Sequence, residues 1–370
     1  MVIIIRCNNI LSDPRAMKYV KYLRQTGKEY LLIGWDREGN QENIPNTICY
    51  KKKAGFNVGG FKAVRDRIGW MWFVYKSLIK FAPHNAVLHG CDVDSAFPAA
   101  CYKFTHHSAR LIFDVFDWFS SSLANQSTFI KRVFSFMERF TLCKSDYVII
   151  CEEERKEQIQ FSIKDDIISI LPNIPYFETE SFLKSTTFNW TNPSLLCFSY
   201  VGGLVSFRCL NELISIAQKG MINLAIAGYG RKELEEKLSS LKDCPNIKYF
   251  GKVKYEDGLN ISFNSDIMFA MYSVEIPNHV YAAPNKYYEA MFLGKPILTT
   301  RGTIVEKKVL TNNIGYVTGE TEKEIVETIE RISKEDAKEK GMIARQLWEL
   351  HYRSFTEDFM ENDYLAMIKR

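Results

Sequence analysis

Residues 284–299, PNKYYEAMFLGKPILT, anchor the reading of this chain. The stretch opens on Pro284-Asn285, runs for about two and a half helical turns, stops at Gly294 and passes through Lys295-Pro296 into the apolar pair Ile297-Leu298. Proline at a helix start costs no hydrogen bond, and glycine just past the end takes the left-handed conformation that closes it. Ala290 and Leu293, with Met291 or Phe292 beside them, then face a sheet. Glu289 has two readings. It lies on an early turn, where backbone N–H groups lack intrahelical partners and attract anions. Its carboxylate either stabilises the helix dipole or accepts hydrogen bonds from a sugar hydroxyl while the N–H groups take a phosphate.

Upstream, Leu196–Val201 is a strand that runs into Gly202-Gly203, with Arg208 six residues after Gly202, near the next helix start. Glycines at a strand–helix junction admit a ligand close to the backbone, and a guanidinium there can pair a phosphate. Leu224–Ala227 repeats the pattern with Gly228-Tyr229-Gly230. Strands at 247–250 and 266–271 precede the anchoring stretch, and one at 314–317 follows it. From about Thr321 the chain reads as helical. Glycine turns, a basic residue and a later acidic residue in one α/β half suit a nucleoside diphosphate.

The first half has the same grammar. Val2–Ile5 is a buried-type strand, Asp13 caps a helix with Pro14 at its first position, and Tyr30–Ile33 is the next strand. Strand, helix, strand in this space is the unit of a parallel sheet, although no GxGxxG follows the first strand. Further strands fall at 86–89, 110–115, 146–151 and 167–171. After the third of these six strands, Asp92-Val93-Asp94 can hold a divalent cation or cap the following helix, and the cap is the plainer reading. His106-His107 suit that helix's far end. Asp114 and Asp117, at the carboxyl end of a parallel strand, are site candidates; capping the next helix is the other role open to them. Prolines 172, 175 and 193 mark a linker.

A chain of 370 residues predicts two domains. Nine cysteines without a CxxC pair predict free thiols in a reducing compartment, not a disulfide frame or a zinc site. The amino-terminal MVIIIRCNN does not read as a signal peptide, and no apolar run is long enough to span a bilayer. A net charge of +4 with no zinc finger or RNA-binding signature gives no case for nucleic acid. Residues 51–81 interleave Lys51, Lys52, Lys53, Lys62, Arg65 and Arg67 with Phe61, Trp70, Trp72, Phe73 and Tyr75. That composition suits either a helix resting on anionic lipid or a core helix with a solvated basic end.

As an ordered set, YVGGLVSFRCLNELI, NLAIAGYG, NIKYFGKV, SDIMFAMY and PNKYYEAMFLGKPIL resemble the donor half of glycosyltransferase family 4. SDPRAMKYVKYLRQTGKEYLLIG, RLIFDVFDWF and LPNIP resemble its first half more loosely. The resemblance implies an α/β protein of the GT-B fold, two Rossmann-like α/β/α domains with a ligand cleft between them. Residues 1–172 would bind acceptor, 190–354 would bind the nucleotide sugar, and 355–370 would pack back on the first domain. It implies Arg208 on the donor diphosphate, Glu289 on the ribose, and Asn285 and Lys286 near the phosphates or sugar. Gly202, Gly203, Gly228, Tyr229 and Gly230 complete the donor set, with His89, Asp92 and Asp117 as candidates on the acceptor side. The implied reaction is retaining transfer from a nucleoside diphosphate sugar, with no metal and no other cofactor. The acceptor would be a saccharide, and the basic aromatic segment 51–81 fits one carried on a membrane lipid, as in bacterial surface polysaccharide assembly. The place would be the cytoplasm, peripheral to the inner face of the membrane. Two departures stand out: Gly203 replaces a frequent second basic residue, and Tyr281 replaces a frequent glutamate, with Glu275 the nearest one upstream. A nucleotide-sugar epimerase of the same fold and a weakly catalytic membrane-associated scaffold are the alternative readings.

Overall fold

The computed structural model describes the chain except residues 38–43, 54–60, 123–127, 160–162, 164, 178, 283 and 370. It forms two compact units, Met1–Pro172 with Phe355–Arg370, and Asn173–Ser354.

The first unit is built on a parallel sheet of β1 (Val2–Arg6), β2 (Tyr30–Asp36), β3 (Thr47–Lys51), β4 (Val87–Cys91), β5 (Arg110–Val115), β6 (Tyr147–Ile150) and β7 (Ile168–Ile170). Their order across the sheet is β3-β2-β1-β4-β5-β6-β7. Helices α1 (Pro14–Gln25), α2 (Phe61–Phe81), α3 (Val93–Thr105), α4 (Phe119–Ser122) and α5 (Thr128–Lys144) connect them. Strand side chains alternate between faces, and the cores follow that alternation. Val2 and Ile4 join Ala16, Tyr19, Val20 and Leu23 of α1. Ile3 and Ile5 join Trp70, Val74 and Leu78 of α2 on the other face, with Ala99 and Ala100 of α3. Asp13 caps α1 as the sequence indicates, accepting from the N–H groups of Arg15 and Ala16 at 3.1 Å each. Strand β3 has no counterpart in the sequence reading. It lies at the sheet edge with half-buried side chains, so it carries no apolar run.

Residues 355–370 complete this unit. Helix α14 (Phe355–Phe359), a π turn at Met360–Tyr364 and α15 (Leu365–Ile368), numbered ahead of the second unit's α6–α13, bury Phe359, Met360, Tyr364 and Met367 on the α1 face of the sheet.

The second unit carries β8 (Cys197–Val201), β9 (Asn223–Ala227), β10 (Ile247–Tyr249), β11 (Ile267–Ala270), β12 (Ile297–Thr300) and β13 (Gly315–Thr318), in the order β10-β9-β8-β11-β12-β13, all parallel. Its helices are α6 (Leu210–Gln218), α7 (Lys232–Ser240), α8 (Tyr255–Phe263), α9 (Pro277–Val280), α10 (Asn285–Leu293), α11 (Ile304–Asn312), α12 (Glu322–Ile329) and α13 (Lys334–Leu347). The segment after Pro172 lies along this unit. The Lys184 and Thr186 N–H groups donate to the side chains of Asn260 and Asn264 at 2.8 and 2.7 Å. Helix α10 has the limits its sequence dictates. Pro284 precedes it, and Gly294 (φ +64°) closes it in the left-handed region. Every residue from Tyr287 to Leu293 is buried.

Candidate functional site

Strand order in the second unit reverses between β8 and β11, the place where open α/β sheets leave a crevice beyond the strand ends. Arg208 and Lys286 meet there. Arg208 belongs to a short turn after β8, Ser206–Arg208, set off from α6 by Cys209 in the left-handed region (φ 51°). Its Nη1 donates to the Met271 carbonyl at 3.1 Å, and its guanidinium lies 3.9 Å from the centre of the Tyr272 ring. Lys286, on the first turn of α10, points back to β8. Its Nζ donates to the Val201 carbonyl and lies 3.9 Å from Glu289 Oε2. Burial pushes the Lys286 ammonium below the usual lysine range, Glu289 opposes that, and Arg208 adds to it. Two cations and an uncapped helix N-terminus with exposed Asn285 thus share one strand-end position. An anion held there would relieve their mutual repulsion.

Glu289 is 6 % exposed. Besides Lys286 it has a partner that the sequence reading missed, Tyr255, whose hydroxyl donates to Oε1 at 2.9 Å. Tyr255 opens α8, and nothing local in the sequence ties it to Glu289. Tyr281 follows the short helix α9 at its C-cap and is half-buried, while Glu275 is exposed.

The glycine turns have a structural cause that differs from the expected one. The loops after β8 and β9 zip together: Gly202 N–H donates to Ala227 O, Leu204 N–H to Tyr229 O and Arg231 N–H to Leu204 O, at 3.0, 3.0 and 2.8 Å. A Cβ on Gly228 (φ +145°) would stand 1.8 Å from the Gly202 carbonyl oxygen, and one on Gly230 would stand 2.4 Å from that of Leu204. The close approach at these two positions is therefore between loops. Gly203 differs, since a Cβ there meets nothing within 4 Å. Tyr229 is half exposed, with Lys252 Nζ 4.7 Å from its ring centre. Gly228→Ala is expected to cost about 3 kcal/mol by overpacking and backbone strain, whereas Gly203→Ala stays within about 0.5 kcal/mol of wild type. Urea unfolding of both variants measures the contrast, and equal midpoints would contradict it.

In the first unit the corresponding reversal lies between β1 and β4. Asp92 follows β4 with a positive φ of 64° and holds the position of a helix cap, yet its side chain does not cap α3. Its carboxylate instead accepts from the N–H groups of Phe116 and Asp117, at 2.9 and 3.3 Å, and from the Arg6 guanidinium. Asp92 therefore ties three strand ends together, because Arg6 closes β1 and the two N–H groups follow β5. Asp94 is buried against Arg67 at 2.8 Å. Asp117 is the carboxylate that reaches solvent; its side chain is 60 % exposed and meets Arg155 Nη2 at 2.9 Å.

His89 and Asp114 correct the sequence reading, which put them at a ligand-facing edge. Both are fully buried. His89 Nδ1 lies 3.0 Å from the Tyr364 hydroxyl and its Nε2 lies 3.6 Å from Asp114. Asp114 accepts from Arg15 Nη2 at 2.7 Å and from the Tyr19 hydroxyl at 2.8 Å. Burial alone would raise the Asp114 carboxyl, but the Arg15 guanidinium and the neighbouring His89 ring hold it well below the usual range. Beside them Lys18 is buried, and its Nζ has no hydrogen-bond partner among the described residues. Burial, reinforced by Arg15, pushes that ammonium down to about 7.

Among the described residues, His89, Cys91 and Asp114 form the one group whose ligand atoms lie within 4.8 Å of one another. The set fits a metal poorly. Arg15 and Tyr19 already occupy the Asp114 oxygens, and burial raises the Cys91 thiol well above its usual value, which keeps the sulfur protonated.

Structural comparison places this geometry among known folds. A sucrose-phosphate synthase from Thermosynechococcus elongatus aligns over 99 % of this chain and 98 % of its own, with 13 % identity and a TM-score of 0.73. WaaG, a glycosyltransferase involved in lipopolysaccharide biosynthesis, aligns over 96 % and 98 % at 12 % identity and a TM-score of 0.66. The fold is GT-B. A Listeria monocytogenes protein described as a UDP-N-acetylglucosamine 2-epimerase also aligns, over 93 % of this chain and 90 % of its own, with 13 % identity and a TM-score of 0.59. No protein-family model matches the sequence, and no curated protein matches it significantly. At these identities the GT-B likeness establishes architecture, and the chemistry rests on the side chains at the strand ends.

Proposed function

We propose that this chain is a retaining glycosyltransferase that moves a hexosyl group from a nucleoside diphosphate sugar to a saccharide acceptor. The observation that carries the reading is the convergence of Arg208, Lys286 and the α10 N-terminus at the β8–β11 reversal. As the bond from the anomeric carbon to the diphosphate breaks, negative charge builds on the leaving oxygen. Fixed cations and N–H groups stabilise that charge without reorganising. They supply positive charge in the place where a metal ion would act, so the reading is metal-independent and calls for no cofactor besides the donor. Glu289, held by Tyr255 and Lys286, is assigned to the ribose hydroxyls. Asn285 and Lys286 are assigned to the phosphates or sugar, and Asp117 and Asp92 to the acceptor side.

The acceptor is proposed to be lipid-linked, in assembly of a bacterial surface polysaccharide, with the protein peripheral to the cytoplasmic face of the membrane. The exposed basic and aromatic residues of α2 support that placement. The structure narrows the 51–81 segment, because Trp70 is buried and stacks on Trp35 with ring centres 5.9 Å apart. Phe61 and Lys62 lie outside the residues whose side chains are described. No helix among the described residues is long and apolar enough to cross a membrane.

A thermal-shift screen against nucleotide sugars tests the donor site, since a ligand that binds the folded state raises its melting temperature. Glu289→Ala is expected to weaken the best donor by roughly tenfold, the loss of a charge-assisted hydrogen bond. Binding equal to wild type would refute the assignment. The epimerase reading is favoured by the Listeria likeness and needs no acceptor, so conversion of donor alone to an epimeric sugar would select it.

A further inference from the structure

Helices α2, α3 and α5 cover one side of the first unit's sheet, and their inward residues fill its cores. Their outward residues are unusual. Helix α2 exposes Ile68, Trp72 and Ile79, α3 exposes Phe104, and α5 exposes Phe129, Val133 and Phe136. Trp72 is 57 % exposed, Phe136 63 % and Phe129 75 %. On α5 these positions recur at three- and four-residue spacing, so they form a stripe. Phe136 and Phe104 flank the half-buried Phe140, with ring centres 6.3 and 6.5 Å from it. A helix that turns a second apolar stripe away from its core has a further surface to cover.

Charge on the same helices is segregated. Their carboxylates are Asp66, Asp94 and Glu138, and all three are buried. Among the described residues the exposed ionic groups are cations: Arg65, Lys76, Lys80, Arg132 and Arg139. Lys76 Nζ lies 5.1 Å from the Trp72 ring centre, and Lys144 Nζ lies 4.9 Å from that of Phe104, so cations and rings alternate on one surface. Helix α7 in the second unit shows the ordinary pattern, with Glu233 and Glu236 outward.

We propose that this three-helix face docks on an anionic lipid bilayer, α5 supplying the deepest apolar contacts and α2 the tryptophan at headgroup level. Phenylalanine, valine and isoleucine partition into the acyl boundary, tryptophan favours the interface, and lysine and arginine pair with acidic headgroups. A nucleic acid would use the cations but would gain nothing from Ile68, Ile79 or Val133. The inference deepens the lipid-linked acceptor reading and rests on it for its purpose; the docking itself follows from the face.

Co-sedimentation of the full chain with vesicles tests it. Vesicles of two parts phosphatidylcholine to one part phosphatidylglycerol are expected to retain the protein, and phosphatidylcholine alone to retain far less. Phe129→Ser and Phe136→Ser should each lower the partition coefficient by about tenfold, and Lys76→Gln and Arg132→Gln by about fivefold each at low salt. Fluorescence gives a second reading. Emission should shift to the blue with the mixed vesicles, and Trp72→Phe should remove most of that shift. Unchanged partition of all four variants, or binding to poly(U) without binding to vesicles, would overturn the proposal. The same variants should melt with nucleotide sugars as wild type does. Loss of docking with donor binding intact therefore speaks only to this face, and docking without any donor speaks only against the transferase reading.

Discussion

Arg208→Ala is expected to lower kcat/KM for sugar transfer by about 10²–10³-fold, the cost of removing one fixed donor to a developing oxyanion. Arg208 is held on two sides, by the Met271 carbonyl and by the Tyr272 ring. Its fork is therefore aimed before any ligand arrives, and little rotamer freedom is lost when it binds one. Lys286 cannot replace it, because its ammonium is anchored by the Val201 carbonyl and Glu289 at its own position and does not move into the place that Arg208 leaves. Arg208→Lys should rescue little, since a lysine is a point charge without the planar fork or the ring stacking. Steady-state kinetics with the donor found by the screen provide the measurement. The fall should lie mainly in kcat if Arg208 acts on the leaving diphosphate, and mainly in KM if it binds donor and transition state alike. A variant within threefold of wild type in kcat/KM would remove Arg208 from the site.

Asp114→Ala is expected to destabilise the first unit by about 3–5 kcal/mol, because it strands a buried guanidinium. Arg15 is 5 % exposed and donates to Asp114 through both Nε and Nη2. Its Nη1 is used on the Leu171 carbonyl at 2.6 Å. With the carboxylate gone, a charge stays in the interior beside Lys18, and the Tyr19 hydroxyl also loses its acceptor. Removing both partners should behave differently. Arg15→Met with Asp114→Leu is expected to recover most of the loss, because no uncompensated charge remains. Urea unfolding of the single and double variants gives the cycle. A single variant within about 1 kcal/mol of wild type would mean that water reaches Arg15, against its burial.

Much of the architecture was legible because strand and helix leave local marks. Apolar runs located twelve of the strands, and the Asp13-Pro14 and Pro284…Gly294 punctuation located helix ends. Strand β3 escaped because an edge strand need not be apolar. The site was only half legible. Gly228 and Gly230 declare that a side chain will not fit, but not whether a ligand or a neighbouring loop takes the space. Asp114 and Asp117 lie three residues apart, yet one is walled in by Arg15, which is 99 residues away in sequence, and the other reaches solvent. Trp70 and Trp72 divide in the same way, one in the core and the other outside it. Such distinctions depend on contacts distant along the chain, and no window of sequence contains them.

The return of residues 355–370 to the first unit bears on the order in which the molecule can be made. Synthesis runs from the amino terminus, so the sheet, α1 and the apolar face they share emerge well before the residues that seal them. Phe359, Met360, Tyr364 and Met367 arrive only after all of the second unit. His89 likewise waits for the Tyr364 hydroxyl. The second unit is continuous in the chain from Asn173 to Ser354 and can finish its core first. Of the two units, the one whose synthesis starts first is thus completed second, and during elongation it presents an open apolar surface for a chaperone to cover.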